Sequence, residues 1–247
     1  MIRQARLEKA AETERGFRLR GQSVSRLEAF SDAVFGLAVT LVVVGEGSGR
    51  SFDEILRRME SFLAIGVCFA TVFTIWNKHY LYCRRFGLED TTVSVLTCFL
   101  LFVVALYAYP LKVVYGLFIG NFLHLAPPST VIVRSDQIPA LFIAYGIGWL
   151  AVNSGFAALY LHAFRKRALL ELSPLEEKLT WRHMWLCLSN GSVGLISIAF
   201  VLLVPPPYAG LGGFAYALIG VVEGVFGGLE GKVLEADRTA SESTHES

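Results

Sequence analysis

Charge is scarce in this chain and is distributed unlike that of a soluble protein. Asp, Glu, Lys and Arg make up 17% of its 247 residues and hydrophobic residues 54%, whereas an average soluble domain is about 25% charged. The charges gather between long apolar runs, which excludes an ordinary soluble domain and defines a polytopic membrane protein. Cysteine is scarce as well. Cys68, Cys83, Cys98 and Cys187 show no paired spacing, so a zinc site or disulfide framework is not expected, and the four read as unlinked packing residues. No metal-ligand pattern, cofactor motif or soluble catalytic signature occurs, so the chain is not expected to be an enzyme; Ser31, Asp32 and His79 would be miscast as a triad. The first 25 residues lack the apolar core of a secretory signal peptide.

What is present is six apolar runs, at 27–45, 60–82, 92–119, 138–164, 182–204 and 208–229, each able to cross about 30 Å of hydrocarbon at about 1.5 Å per residue. The expected fold is an all-α membrane protein with six transmembrane helices per subunit. The chain divides into a basic N-terminal arm (1–25), a six-helix membrane domain (26–230) and a polar tail (231–247) whose Ser/Glu-rich composition predicts disorder. Short loops keep Lys and Arg cytoplasmic. With the N-terminus inside, Arg3, Arg6, Lys9, Arg15, Arg18, Arg20, Arg26, Lys78, Arg84, Arg85, Arg165, Lys166, Arg167, Lys178, Arg182, Lys232 and Arg238 fall inside, against Arg50, Arg57, Arg58 and Arg134 outside. Both termini of a multi-pass membrane protein are therefore expected in the cytoplasm. The basic arm beside the first span reads as a topogenic element facing anionic membrane lipid, not as a nucleic-acid site. Pro205-Pro206-Pro207 predicts a tight outer turn that makes spans five and six a hairpin. Gly220, Gly224 and Gly228 form a small-residue stripe expected to pack against another helix of the same subunit.

The first span is the most informative stretch: Arg26-Leu-Glu-Ala-Phe30-Ser31-Asp32-Ala-Val-Phe35-Gly-Leu37-Ala-Val-Thr40-Leu41-Val-Val-Val44. An acid within a bilayer costs roughly 2.5–3.5 kcal/mol on insertion scales, so such residues are paired inside a bundle or placed on an ion path. At about 100° per residue from Leu37, Phe30 falls near 20°, Leu41 near 40°, Val44 near −20° and Thr40 near −60°, one narrow and mostly bulky stripe. Asp32 falls near −140° and Ser31 near 120°, turned toward neighbouring helices. Trp76 and His79 lie three residues apart on one face at the end of span two, so a polar cluster of Ser31 and Asp32 with Trp76 and His79 is expected. Its plainer reading is a structural knot in which Asp32 accepts hydrogen bonds from indole or imidazole. Its sharper reading is a proton relay.

The segment Arg26-x-x-x-Phe30-Ser31-Asp32, continued by Ala-Val-Phe-Gly-Leu-Ala-Val-Thr-Leu, resembles the first-helix signature of the transmembrane protein 175 family of potassium channels, in its six-helix prokaryotic branch. Trp76-x-x-His79 and Tyr109-Pro110-Leu111-Lys112 also look like family features. The resemblance implies that first helices line a central pore and that rings of large apolar side chains form its constriction and selectivity region. Aligned on Phe30-Ser31-Asp32, those rings are Leu37, Leu41 and Val44, with Thr40 a hydroxyl layer beside them; the family commonly has a larger Leu where Val44 stands. Arg26, Phe30, Ser31, Asp32, Trp76 and His79 make up the structural polar network. Only one copy of the motif occurs, so the resemblance implies a homotetramer, and it implies a prokaryotic cell membrane.

The expected function is a potassium-conducting cation channel, passing potassium and other monovalent cations, with no bound cofactor and no metal beyond the transient ion. No Thr-Val-Gly-Tyr-Gly loop is present, so a carbonyl-lined filter is not expected and selectivity over sodium should be modest. The alternative is a proton-coupled transporter alternating protons between Asp32 and His79, against which stands the lack of an inverted repeat. Glu46 falls near 180°, off the stripe, and Glu223 is an intramembrane acid for which the sequence suggests no partner.

Overall fold

The computed structural model describes residues 13–14, 16–44, 62–121, 134 and 136–245. It is nearly all helical: α1 (Arg26–Val44), α2 (Phe62–Phe86), α3 (Thr91–Asn121), α4 (Ile138–Arg165), α5 (Pro174–Leu203) and α6 (Leu218–His245). A two-stranded antiparallel ribbon, β1 (Thr13–Glu14) and β2 (Phe17–Arg18), precedes them, with Thr13 opposite Arg18 and Glu14 opposite Phe17. Among the described residues five stretches, Phe62–Phe86, Thr91–Ile119, Ile138–Arg165, Pro174–Leu203 and Tyr208–Asp237, are long and apolar enough to cross a membrane. α1 has 19 residues, about 28 Å of helix at about 1.5 Å per residue. The 3₁₀ stretch Pro206–Ala217 joins α5 to α6, so the sixth span begins as a tighter coil than its hydropathy predicts. The cause is local: Gly210, Gly212 and Gly213 weaken an α-helix there, and Ser197 Oγ donates to the Gly212 carbonyl at 2.9 Å.

The centre of the bundle is the antiparallel pair α4 and α5. They approach closely where two glycines meet: a Cβ on Gly194 would lie 2.8 Å from the Gly146 carbonyl oxygen, and one on Gly146 3.0 Å from that of Gly194. Small residues are what permit such contact between membrane helices, where burial against lipid supplies no drive. α3 packs on α4, α1 packs on α2 and α3, and α6 packs on α5 and the 3₁₀ stretch. The four cysteines are unlinked.

The glycine stripe of α6 packs against none of the described residues. A Cβ at Gly220, Gly224 or Gly228 would meet nothing within 4 Å. The helix instead uses a neighbouring stripe: Glu223 meets Asn190, Phe226 lies beside Arg182, Glu230 faces His183, and Val233 and Leu234 reach the core. That stripe is centred about 130° away from the glycines on the helix surface. It also carries α6 beyond residue 231, so the segment expected to be disordered is helical as far as His245.

One end of the bundle is closed by the residues before α1. Arg20 donates two hydrogen bonds to Glu176, Nη1 to Oε1 at 2.7 Å and Nη2 to Oε2 at 2.9 Å, and a third through Nε to the Leu170 carbonyl at 2.8 Å. Glu176 also accepts from the Arg18 and Ser173 backbone N–H groups and completes a capping box with Ser173 at the start of α5. Phe17, fully buried, packs edge-on to Phe86 under the Arg85 guanidinium. Gly16 turns the ribbon at φ +80°, where any Cβ would also come 2.8 Å from Leu234 Cδ2. Residues of the basic N-terminal arm thus hold α2, α5 and α6 together at this end of the bundle. Asp90 fastens the same end of α3 to α4: Oδ1 accepts from the Thr92 and Val93 N–H groups, and Oδ2 from His162 Nε2 at 2.9 Å and Lys166 Nζ at 2.7 Å. Partial burial pushes the Asp90 carboxyl up, but the bonds from His162, Lys166 and Val93 outweigh it and hold the group well below the usual carboxylate range.

Arg20 and Glu176 have side chains only 11% and 5% exposed. Arg20→Ala leaves Glu176 buried without its partner and is expected to cost about 3 kcal/mol. Thermal unfolding in detergent checks this, and an unchanged midpoint would show that the clasp contributes little.

Candidate pore-lining face and polar brace

α1 divides lengthwise into a packed side and an open side. Glu28, Ser31, Phe35, Ala38 and Val42 are 5% exposed or less and face α2 and α3. On the opposite side Phe30 and Leu37 are 56% exposed and Leu41 49%, with Thr40 exposed between them. The division follows from side-chain size at helical spacing, since small residues and Phe35 fill the contact and the long leucines are left outside. Thr40 Oγ1 donates to the Gly36 carbonyl at 2.9 Å, which uses the hydroxyl proton locally and leaves the oxygen lone pairs facing away from the subunit. The side chain of Val44 and all of Glu46 lie outside the described residues.

The start of α1 is steadied locally. Ser25 Oγ accepts from the Glu28 N–H at 3.0 Å, and Ser31 Oγ donates to the Leu27 carbonyl at 2.7 Å. Asp32 accepts from Trp76 Nε1 at 2.7 Å, so the acid and the indole meet across α1 and α2. His79 does not join them by a hydrogen bond among the described residues. It is 1% exposed, packs against the Phe35 ring and has Nε2 3.5 Å from Thr97 Oγ1 on α3. Of the expected cluster, Asp32 and Trp76 are joined by a hydrogen bond, while His79, one turn further along α2, lies between Phe35 of α1 and Thr97 of α3. Arg26 and Phe30 are exposed, and Ser31 is satisfied within its own helix.

Trp76 also belongs to a row of aromatic rings along α2, tilted against Phe73 at 5.4 Å and stacked on Tyr80 at 5.7 Å. At the far end of α1, Lys112 Nζ donates to the Val42 carbonyl at 2.9 Å. A cation at a helix C-terminus satisfies a carbonyl without an intrahelical partner and complements the helix dipole. α1 is thus tied at one end through Asp32 and Trp76 and at the other through Lys112.

The intramembrane acid Glu223 has partners that hydropathy and spacing did not reveal: Lys78 Nζ at 2.9 Å and Asn190 Nδ2 at 2.8 Å. Arg20 and Glu176 were missed as well, though Ser173-x-x-Glu176 ahead of an apolar run is a legible capping box. No local pattern could have joined Lys78 on α2 to Glu223 on α6, since 145 residues separate them.

These features define a multi-pass α-helical membrane protein in which one short helix keeps its bulky apolar face outside the subunit. Residues 26–107 match the sequence profile of the family described as endosomal/lysosomal potassium channel TMEM175. The chain is 31% identical over 232 residues to a potassium channel of Marivirga tractuosa, a match covering 87% of this chain and 91% of that protein. It superposes with a TM-score of 0.74 and 28% identity on the crystal structure of a threonine-to-alanine variant of the potassium channel MtTMEM175, solved with a nanobody–MBP fusion protein. That match covers 89% of this chain and 99% of the other. The chain belongs to the TMEM175 family of potassium channels.

Replacing Trp76 by Phe keeps an aromatic ring in the row and removes the indole donor to Asp32. The variant is expected to lose about 1 kcal/mol of stability, read by thermal unfolding in detergent. An unchanged unfolding curve would mean that Asp32 is served equally well by solvent.

Proposed function

We propose that the protein conducts potassium through a pore lined by the open face of α1 from four copies around one axis. Leu37, Leu41 and Val44 then form successive apolar rings, and Thr40 a ring of hydroxyl oxygens beside them. The observation that carries this reading is the two-sidedness of α1: its packed stripe is complete within the subunit, while Leu37 and Leu41 point out of it. Exposure alone would suit lipid contact, and the potassium channels to which the chain is similar favour the pore.

A constriction of leucine rings resists hydrated ions and passes them when it widens. It offers no carbonyl cage, so potassium is favoured over sodium chiefly because it sheds water more easily, and selectivity is modest. The Thr40 oxygen, its proton already donated to Gly36, can accept a dehydrating cation. Asp32 acts as a brace on α1, not as an ion ligand, because its carboxylate is turned to Trp76. The proton-coupled alternative needs Asp32 and His79 to exchange protons, and no hydrogen bond joins them among the described residues: Asp32 takes the Trp76 indole, and His79 lies between Phe35 and Thr97.

The orientation follows the positive-inside rule. The residues before α1, the α2–α3 turn, the α4–α5 turn and the tail of α6 lie at one end of the bundle, through the contacts of Gly16 and Arg20. This end carries most of the Lys and Arg and is assigned to the cytoplasm, with both termini there and the protein in the cell membrane.

Reconstituted in liposomes, the folded protein should carry potassium down its gradient; a preparation passing no monovalent cation would overturn the assignment. Leu41→Ala should widen the constriction and raise cation leak or reduce the preference for potassium, read in the same flux assay. Currents and selectivity unchanged from the parent protein would place this face against lipid or protein.

A further inference from the structure

Inside the membrane domain is a cavity of about 750 Å³ unconnected with the open face of α1. It lies among α2, α3, α4, the 3₁₀ stretch and α6, and its wall on α4 runs from Ile138 to Phe156. That wall is about 27 Å long at about 1.5 Å per residue, more than one leaflet of a hydrocarbon core of about 30 Å. The volume lies within the range of about 300–1,000 Å³ usual for ligand pockets.

Most polar groups on or beside this wall are already engaged; the exception is the buried Tyr216 hydroxyl, which has no hydrogen-bond partner among the described residues. Thr71 and Tyr115 share a hydrogen bond at 3.2 Å, Thr74 donates to the Ala70 carbonyl, and Trp149 Nε1 donates to the Asn190 carbonyl at 2.8 Å. Asn153 donates to the Trp149 carbonyl, and Lys78 is paired with Glu223. An occupant therefore meets mainly aliphatic and aromatic carbon, with little hydrogen-bonding capacity to hold a polar ligand or a file of water. The cavity also opens sideways: Thr74 on α2, Phe214 and Ala217 on the 3₁₀ stretch and Gly220 on α6 both line it and are exposed. Across that opening the Lys78–Glu223 pair joins α2 to α6 at 2.9 Å, and Gly220 has nothing within 4 Å of its Cβ position.

We infer that this cavity is a lipid site, occupied by one acyl chain of a bilayer phospholipid that enters between α2 and α6 and lies along α4. Its length, its sideways opening, its carbon wall and the internal pairing of most of its polar groups are the properties a hydrocarbon chain needs. The chain then fills the space between α2 and α6 beside the Lys78–Glu223 pair, and the site stands whether or not α1 lines the pore.

The test uses the full chain in phosphatidylcholine vesicles containing a trace of phosphatidylcholine with a photoreactive diazirine at the end of one acyl chain. After irradiation, adducts are mapped by mass spectrometry. Labelling is expected on the inward wall at Trp149, Asn153 and Phe156, as well as on the outward residues Leu202 and Leu203, which are 67% and 84% exposed. Gly220→Leu should fill the opening without backbone strain and reduce inner-wall labelling several-fold while leaving Leu202 and Leu203 unchanged. Ala217→Phe, from the neighbouring turn, should do the same. Adducts confined to the outward residues, an inner-wall yield equal in the parent and both variants, or inner-wall labelling by a diazirine fatty acid but not by the phospholipid would each overturn the proposal.

Discussion

α1 is packed on one side only, and much of the rest of the structure is arranged around that asymmetry. In water a helix with exposed leucines would turn them inward, but in a bilayer lipid tails are as apolar as leucine and burial alone selects no face. What orients α1 is therefore fit and polar pairing. Ala38, Phe35 and Ser31 fit the groove made by α2 and α3, Trp76 takes Asp32, and Lys112 takes the Val42 carbonyl. With rotation about the helix axis set in this way, Leu37 and Leu41 are left on the far side.

The same economy governs the other polar groups within the apolar spans. Glu223 is met by Lys78 and Asn190, and Trp149 by a backbone carbonyl. Each pairing also ties one helix to another, so the groups most expensive to place in hydrocarbon double as fasteners between helices. At the end assigned to the cytoplasm the fastening is denser. Arg20 and Glu176 connect the approach to α1 with the α4–α5 turn, and Asp90 connects the start of α3 with the end of α4. Between the Arg20 clasp, which Gly21 extends by donating to the Arg84 carbonyl at 3.0 Å, and the first turn of α1 lie only residues 22–25.

Much of this was legible in the sequence because hydropathy and helical spacing are local properties. The spans, the acid in the first of them and the separation of Asp32 from the Leu37 stripe all follow from counting along the chain. Trp76 and His79, three residues apart, share a face of α2 only broadly: Trp76 reaches Asp32 on α1, and His79 lies between Phe35 of α1 and Thr97 of α3. The glycines of α6 were read as a packing seam because small residues permit close approach, yet permission is not contact. The tail looked disordered from its composition, which is dominated by polar residues, whereas Val233 and Leu234 are enough to continue the packed stripe of α6.

By itself the sequence determined a helical membrane protein of the TMEM175 family and the two faces of its first helix, since a fixed rise and turn per residue convert spacing into direction. Tertiary structure alone decided which polar groups meet: Asp32 with Trp76, His79 with Thr97, Glu223 with Lys78, Arg20 with Glu176. It also decided that a long cavity remains between α2 and α6. Both depend on how helices distant in sequence tilt and approach, and those distances are set by side chains on several elements at once, which no single segment encodes.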